Sequence, residues 1–221
     1  MTYRIAIIGG TGKEGKGLAY RWAKAGHEVV IGSRLVEKAQ IAADDVNALL
    51  GSVFTKVTGL ENFQAADWCE VVTLTIPFTA HQGMLENLKD VVKGKLFIDV
   101  TVPIVPPRVS VAQMPAAGSA AMEAQIILGD DTPVVSAFQN ISYERLLREG
   151  DIDCDVLVCG RSKDARKKVI GLVEDAGMTG WDAGALENSM VVEGLTSVLI
   201  HINKVYGSRE SGIKITGVNK E

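Results

Sequence analysis

The chain has 221 residues, of which 47% are hydrophobic and 23% are charged, and its formal net charge is -4. This balance excludes a disordered chain, and the charge gives no indication of a nucleic-acid or membrane partner. The cysteines, Cys69, Cys154 and Cys159, form no CxxC pair. We therefore expect reduced thiols in a cytoplasmic protein, with no metal site, no signal peptide and no membrane span.

Short apolar runs and helical patterns alternate along the first part of the chain. The apolar runs predict strands over residues 3–8, 28–31, 54–57, 71–76, 95–100 and 133–137. The helical patterns cover residues 15–25, 36–50 and 81–92. This alternation is typical of a Rossmann-type α/β fold, a doubly wound parallel sheet with right-handed crossovers. A proline-rich stretch over residues 102–119 is expected to be a functional loop, with a plain surface excursion as the alternative.

The pattern changes after about residue 142. Strands are predicted over residues 155–159 and 179–183, a helix over 164–176, and a long apolar helix over 187–206. We therefore expect a dinucleotide-binding domain over residues 1–142 and a small C-terminal α/β domain over residues 143–221. The last helix is apolar on more than one face, so it is expected to be buried, either in its own domain or against a second copy.

Residues 9–15 read GGTGKEG, and they lie between a predicted strand and a predicted helix. In that context the G-x-G-x-x-G spacing favours a dinucleotide site, because Gly10 allows the turn, Gly12 lets a pyrophosphate approach and Gly15 lets the helix pack closely. The alternative is a strand-to-helix turn that binds nothing. The loop residues expected to contact the dinucleotide are Gly10, Thr11, Gly12, Lys13, Glu14 and Gly15.

The end of the second strand indicates which dinucleotide binds. An NAD site usually has Asp or Glu there, whereas this chain has Ser33 and Arg34, with Lys38 one helical turn further on. A hydroxyl, a guanidinium and an ammonium suit a 2′-phosphate, so we predict NADP rather than NAD. A solvated basic helix start is the alternative.

The sequence contains no obvious catalytic constellation. Its histidines are His27, His81 and His201, and no Ser/His/Asp set or metal-ligand spacing is present. His27 is expected to be exposed and His201 to be a packed or interface residue, while His81 follows the fourth strand and is placed to reach the ligand crevice. Asp99 is expected to cap a turn. Hydride transfer between two rings fits this absence, because it needs no dedicated proton-transfer residue.

Several blocks of the sequence together carry a family resemblance. They are GGTGKEGKGLA at 9–19, HEVVIGSR at 27–34, LTIP at 74–77, VVSA at 134–137, DVLVCG at 155–160, DAGALENS at 182–189 and GIKI at 212–215. With them the chain resembles, nearly end to end, the NADPH:F420 oxidoreductases, which pass hydride between NADP and the 8-hydroxy-5-deazaflavin coenzyme F420. The resemblance implies a homodimer, no covalent catalyst, and an apolar deazaflavin cleft between the Rossmann domain and the C-terminal domain.

The resemblance also assigns residues on this chain. Thr11, Ser33, Arg34 and Lys38 match the NADP phosphate-binding positions. The residues expected on the nicotinamide and acceptor sides are Thr75, Ile76, Pro77, His81, Val102, Pro103, Ala137, Phe138, Gln139 and Leu195.

The chain departs from the family pattern only on the acceptor side. His81 is displaced by one position, Gln139 stands where the family often has His, and residues 105–131 match poorly. Two alternatives therefore stay open. One is an NADPH-dependent reductase of another acceptor, such as a free flavin, a ferric chelate or a small imine or carbonyl compound. The other is an NADP-binding sensor without turnover.

Overall fold

The fold is described from a computed structural model, for residues 1–52 and 54–218. Its strands are β1 Arg4–Ile8, β2 Glu28–Ser33, β3 Thr58–Glu61, β4 Val71–Leu74, β5 Leu96–Asp99, β6 Val134–Ser136, β7 Asp155–Gly160 and β8 Thr179–Asp182. Its α-helices are α1 Lys13–Lys24, α2 Val36–Leu50, α3 Asn62–Trp68, α4 His81–Leu88, α5 Ala120–Leu128, α6 Tyr143–Leu146, α7 Lys163–Asp175 and α8 Ser189–Tyr206. Short 3-10 turns precede α4 and α8 at Phe78–Ala80 and Leu186–Asn188.

The strands form one sheet in the order β3-β2-β1-β4-β5-β6-β7-β8. All neighbouring pairs are parallel except β6 and β7, which are antiparallel. The order β3-β2-β1-β4-β5 is that of a doubly wound sheet, whose topological switch point lies between β1 and β4. The predicted Rossmann-type fold is confirmed.

The sequence of β1 explains why the sheet is covered on both faces. Successive side chains of a strand point to opposite faces. Ile5 and Ile7 belong to one buried cluster, with residues of α1, α2 and α7, while Ala6 and Ile8 belong to a second cluster, with residues of α3, α4 and α5. A continuous apolar run is what a strand buried on both faces requires. The carboxyl ends of these strands are left free to build a site.

The third strand lies later in the chain than predicted. It was expected over residues 54–57, but pairing with β2 begins at Thr58. The Asn47 side chain explains the shift, because its Nδ2 donates to the Val57 carbonyl and its Oδ1 accepts from the Val57 N–H, both at 2.8 Å. Val57 is thereby bound to α2 instead of to the strand ladder.

The C-terminal residues continue the sheet and share a core with the N-terminal ones. The Trp22 indole of α1 donates to the Leu172 carbonyl of α7 at 2.8 Å, and Arg21 Nε donates to the Leu146 carbonyl at 2.8 Å. Trp22 and Leu172 lie in the same buried cluster. The domain boundary at residues 142 and 143 stays a prediction.

The last helix, α8, differs from the expectation of a helix buried nearly all round. It buries Val192, Glu193 and Leu199, whereas Val191 and Val198 are 69% and 49% exposed. In the single chain α8 therefore packs on its own domain through one face only, and burial of the other face against a second copy stays a prediction. Among the described residues, no helix is both long enough and apolar enough to cross a membrane.

Candidate functional site

A cavity of about 790 Å³ opens at the carboxyl ends of β1, β4 and β5. The glycine loop and the loop after β4 form one side of it, and the loop after β5, the turn after β6 and the C-terminal half of α8 form the other. The lining residues are Gly12, Lys13, Glu14, Gly15, Thr75, Ile76, Pro77, Phe78, Thr79, Val100, Thr101, Val102, Ile104, Pro106, Gln139, Asn140, Ile141, Ser142, Tyr143, Thr196, Leu199, Ile200, Asn203, Arg209 and Ser211.

The glycine loop has the geometry of a phosphate cradle. A Cβ on Gly15 would lie 2.5 Å from Gly10 Cα, so this glycine is required for the close packing of α1 on the loop. A Cβ on Gly12 would meet nothing within 4 Å, and the φ of Gly12 is an ordinary -75°. Gly12 is therefore not needed by the fold itself. Its open space, at the N-terminus of α1, is where a pyrophosphate would approach free N–H groups.

The predicted 2′-phosphate residues lie next to this loop. The Gly10 N–H donates to the Gly32 carbonyl at 3.1 Å, which places the end of β2 beside the glycine loop. Ser33 follows directly, and Arg34 and Lys38 are exposed. Among residues 1–52 and 54–218, neither of these two cations forms an ion pair. A hydroxyl and two available cations fit a 2′-phosphate group.

The loop after β4 is fixed beside the glycine loop. The backbone N–H of Thr75 donates to the Ile8 carbonyl at 3.0 Å, and its hydroxyl donates to the same oxygen at 3.2 Å. Both bonds anchor the loop to the end of β1. Ile76 and Pro77 then present apolar surface to the cavity, which suits the face of a planar ring.

A sharp turn after β6 brings Gln139 to the cavity. Phe138, which precedes it, has a φ of 74°, a value that a bulky residue rarely adopts. Its ring is buried and packs edge-on against Trp22, with ring centres 5.7 Å apart. This packing holds the strained turn in place. Ala137 and Phe138 therefore lie behind the cavity wall, and Gln139 lies in it.

His81 lies outside the cavity, contrary to the prediction that it reaches the crevice. Its side chain is fully buried, with Nε2 2.8 Å from Asp99 Oδ2 and Nδ1 3.0 Å from Glu123 Oε1. Burial alone would lower the pKa of His81, but the two carboxylates outweigh burial and raise it to about 9. His81 is thus the cation of a buried ion cluster.

This ion cluster supports the acceptor side of the cavity wall. Asp99 Oδ1 accepts a hydrogen bond from the Thr101 N–H at 2.9 Å, as expected for a turn-capping Asp. The Asp99 carbonyl accepts one from Gln139 Nε2 at 2.7 Å. Both donors belong to residues that line the cavity. Asp99 therefore connects the His81 imidazolium to two residues of the cavity wall and fixes where they lie.

A second buried carboxyl fixes α8 to the same region. Glu193 Oε2 and Oε1 accept hydrogen bonds from the N–H groups of Ala120 and Ala121, at 2.7 and 3.1 Å, and so cap α5. Burial, with a smaller contribution from Asp99, raises the pKa of Glu193 to about 8, against the opposing effect of the two N–H groups and His81. The helix that forms the far wall of the cavity is therefore held at its N-terminal half.

Three charged side chains line the cavity among the described residues: Lys13, Glu14 and Arg209. Burial raises the pKa of Glu14 to about 8, which favours its neutral form. The cavity therefore has two positive side chains and a wall that is otherwise apolar or neutral. It suits a planar apolar ligand with anionic substituents.

The structure brings together about half of the predicted site residues in this cavity. Those that line it are Gly12, Lys13, Glu14, Gly15, Thr75, Ile76, Pro77, Val102 and Gln139. Gly10 and Thr11 lie in the adjoining glycine loop, Ser33 and Arg34 at the end of β2, and Lys38 in the first turn of α2. Pro103, Ala137, Phe138, His81 and Leu195 do not line it.

Sequence reasoning also missed residues of the far wall. The prediction chose Leu195, whereas Thr196, Leu199 and Asn203 form the lining face of α8, at helical spacing and starting one position later. The i, i+3, i+7 pattern of these three could have indicated that face. Arg209 and Ser211 were missed because their place depends on how the segment after α8 folds back.

The other two histidines, His27 and His201, do not line the cavity. His27 is buried rather than exposed, because its Nδ1 accepts from the Tyr3 N–H at 3.1 Å and its Nε2 lies 3.0 Å from Asp175 Oδ2. His201 is exposed on α8. In the part of the chain that the structure describes, no three His, Cys, Asp or Glu side chains form a group that could hold a metal ion.

The sequence of this chain is similar to those of named enzymes. Residues 4–103 match the model of the family described as NADP oxidoreductase coenzyme F420-dependent. The F420-dependent NADP reductase of Methanothermobacter marburgensis is 39% identical over 221 residues, which cover 97% of this chain and 99% of that protein. The enzyme of the same name from Methanocaldococcus jannaschii is 38% identical over 222 residues, with the same coverage of 97% and 99%.

Solved structures support the fold. A candidate F420-dependent NADP reductase from Arthrobacter sp. FB24 superimposes with a TM-score of 0.80 at 22% identity, covering 97% of this chain and 100% of that one. Plasmodium falciparum pyrroline carboxylate reductase with NADP bound gives a TM-score of 0.60 at 14% identity, covering 92% and 65%. These likenesses establish the architecture. The near full-length identity of 38–39% to named enzymes goes further, and the chain belongs to the family of F420-dependent NADP reductases.

Proposed function

We propose that this protein is an oxidoreductase that catalyses hydride transfer between NADP(H) and coenzyme F420. The observation that carries the proposal is one cavity that joins a phosphate cradle to an apolar wall. A volume of about 790 Å³ accommodates a nicotinamide and a second planar ring together. When bound, NADPH supplies the hydride and the deazaflavin receives it, which is a reaction of the two ligands themselves.

The residues of the chain have binding and positioning roles in this reaction. The glycine loop and the N-terminus of α1 hold the pyrophosphate, and Ser33, Arg34 and Lys38 hold the 2′-phosphate. Ile76 and Pro77 support the nicotinamide, while Val102 and Gln139 bound the acceptor side. Holding both rings in a site with apolar walls lowers the entropic part of the barrier and excludes water.

The direct test is to mix the purified protein with NADPH and oxidised F420 and to follow the absorbance and fluorescence of the deazaflavin. FMN and a ferric chelate are run in parallel. Bleaching of F420 alone is the expected result. Reduction of FMN or of iron without reduction of F420 would assign the cavity to another acceptor, and no reduction of any of them would favour a sensor.

We infer further that the protein acts as a homodimer in the cytoplasm. Val191, Val198 and Val205 are 69%, 49% and 58% exposed and repeat at seven-residue spacing along α8. Such a stripe of apolar side chains is suited to burial against the same helix of a second copy. The three cysteines are buried free thiols, which is consistent with a reducing compartment.

The dimer is tested by Val198→Lys, which places a charge in the stripe. Light scattering is expected to show dimers for the unmodified protein and monomers or insoluble protein for the variant. Ile41→Lys is the matched control, since Ile41 is a 62% exposed side chain on α2. A soluble Val198→Lys dimer would place the contact elsewhere.

A further inference from the structure

Two cations share one rim of the cavity. Lys13 begins α1, and Arg209 is the third residue after the end of α8. The Lys13 ammonium lies 4.8 Å from the centre of the Tyr143 ring, and the adjacent Ser142 hydroxyl donates to the Arg209 carbonyl at 2.8 Å. Both cations are therefore placed around the start of α6, one on the glycine-loop side and one on the α8 side.

The backbone around Arg209 is fixed to α8. Asn203 accepts a hydrogen bond from the Ser208 N–H through its carbonyl, at 2.9 Å, and one from the Ser211 N–H through Oδ1, at 3.0 Å. The Ser211 hydroxyl donates to the Leu199 carbonyl at 3.1 Å. Together with the hydrogen bond from Ser142, these contacts fix residues 208–211 in place as part of the cavity wall.

The acid next to Arg209 does not neutralise it. Glu210 pairs with the guanidinium of Arg148, and its Oε2 lies 3.9 Å from Arg145 Nε, on the side away from the cavity. Within residues 1–52 and 54–218, the Arg209 guanidinium has no ion pair and no hydrogen-bond partner. This arrangement leaves the charge of Arg209 available at the cavity, in a protein whose net charge is -4.

The positive charges of Lys13 and Arg209, on a wall that hydrogen bonds hold in place, are suited to bind an anionic group of a ligand. The proposed reaction offers two phosphate groups, the pyrophosphate of NADP and the phosphodiester in the side chain of F420. The pyrophosphate has its own cradle in the glycine loop, at the N-terminus of α1. Arg209 belongs to a different part of the wall, the segment that follows α8 and is bonded back to it, and this placement outside the glycine loop favours the second phosphate.

We propose that Arg209 binds the phosphodiester of the acceptor's side chain and so selects a phosphorylated deazaflavin over one whose ribityl chain ends in a hydroxyl. Arginine suits this role because its fork of N–H donors can engage two phosphate oxygens. The inference rests on the proposed function, and it names the feature of the acceptor that this chain recognises beyond the ring.

The experiment compares F420 with 8-hydroxy-5-deazariboflavin, which has the same reacting ring and no phosphate. We expect Arg209→Gln to raise the KM for F420 about tenfold, the loss typical of one charge-assisted contact, with kcat unchanged. The KM for deazariboflavin and the KM for NADPH are expected to stay as in the unmodified protein. Arg209→Lys, which keeps the charge but not the fork, is expected to fall in between. Arg161→Gln, a remote exposed arginine, is the control.

Each other outcome overturns the proposal in a distinct way. An equal loss with F420 and deazariboflavin would mean that Arg209 only supports the wall. A higher KM for NADPH alone would assign Arg209 to the pyrophosphate, and unchanged kinetics would remove it from the site. If the unmodified protein reduced neither deazaflavin, the proposed function itself would fail. Reduction of both without a change in Arg209→Gln would overturn only this inference.

Discussion

The two sides of the cavity are built in different ways. On the NADP side, the glycine loop, the start of α1 and the end of β2 lie within 30 residues of one another. On the acceptor side, the wall combines the loop after β5, the turn after β6, the far half of α8 and the segment at Arg209. A dinucleotide cradle can thus be made from one local βαβ unit, whereas the acceptor wall needs a long-range network to hold its parts together.

The network on the acceptor side has an ionic centre that the NADP side lacks. His81, Asp99 and Glu123 form it, and Asp99 reaches two wall residues through its carboxylate and its carbonyl. Burying charges is costly unless each is paired and hydrogen-bonded, so removal of one member has large consequences. We therefore expect the acceptor wall to depend on buried charge for its stability. The NADP side is expected to depend on exposed charge for its affinity for the dinucleotide.

The largest effect is expected from Asp99→Ala. The substitution removes the closer of the two carboxylates that pair with the His81 imidazolium, and it removes the acceptor of the Thr101 N–H. It should therefore lower the free energy of unfolding by about 3–5 kcal/mol. Urea unfolding followed by circular dichroism measures this. The control is Asp90→Ala, which removes an exposed carboxylate paired with Lys93 and should leave the midpoint unchanged. Equal midpoints for the two variants would contradict an ionic centre.

The second prediction is a pH dependence of stability. Because the pKa of His81 is raised from its ordinary 6.5 to about 9 in the folded protein, its contribution is complete below about pH 6.5 and is lost as the pH rises through 9. The contribution amounts to about 3 kcal/mol for a shift of this size. The measured quantity is the difference in unfolding free energy between the unmodified protein and His81→Gln, at pH 6 and pH 9.5.

The pH range distinguishes His81 from the other buried acids. The raised pKa of Glu193, about 8, also makes stability fall with pH, but between about 4.5 and 8, whereas the His81 contribution is lost between about 6.5 and 9. We expect the advantage of the unmodified protein to shrink as the pH rises. An advantage that stayed constant from pH 6 to 9.5 would show that His81 is not held as a cation.

The same contrast explains how much could be predicted from the sequence. The Rossmann-type fold was predicted correctly, because strand alternation is a local signal, and the G-x-G-x-x-G spacing that predicts the NADP cradle is local too. Gln139 and Val102 were also placed in the wall. Leu195 was not, because a helix lines a cavity with a face whose rotation is set by distant anchors such as Glu193.

His81 shows the limit most clearly. Its position after β4 put it near the crevice, but its orientation depends on Asp99, 18 residues away, and Glu123, 42 residues away. A single sequence gives no signal for such a pairing. Arg209 was missed for a similar reason, since it reaches the cavity only because residues 208–211 are tied back to α8.

On the NADP side, the next prediction concerns Arg34. Arg34→Asp replaces a cation that can bind the 2′-phosphate by a carboxylate that repels it. Loss of one charge-assisted contact costs about 1.5–3 kcal/mol. The affinity for NADPH relative to that for NADH should therefore fall about tenfold or more. Equilibrium titration with the two dinucleotides measures the ratio. Lys167→Asp, an exposed lysine on α7, controls for the change of net charge. An unchanged ratio would remove Arg34 from the site.

The smallest effect is expected from Gly12→Ala, and its value lies in separating binding from folding. A Cβ at this position meets no protein atom within 4 Å, and the backbone φ of -75° is compatible with alanine, so the thermal midpoint should not change. A methyl group in the cradle keeps a pyrophosphate from the N–H groups at the start of α1. Loss of about one such hydrogen bond costs about 1 kcal/mol, or about fivefold in the Kd of NADPH.

Gly83→Ala is the matched control for this variant, since a Cβ there also meets nothing within 4 Å and Gly83 lies on α4, outside the cavity. Neither variant should be less stable than the unmodified protein, and only Gly12→Ala should bind NADPH more weakly. If both bound NADPH normally, the open space at Gly12 would serve no ligand, and the cradle would have to be sought elsewhere. A lower midpoint for Gly12→Ala would instead mean that the loop needs this glycine for its own conformation. The NADP side would then resemble the acceptor wall, with stability and binding inseparable.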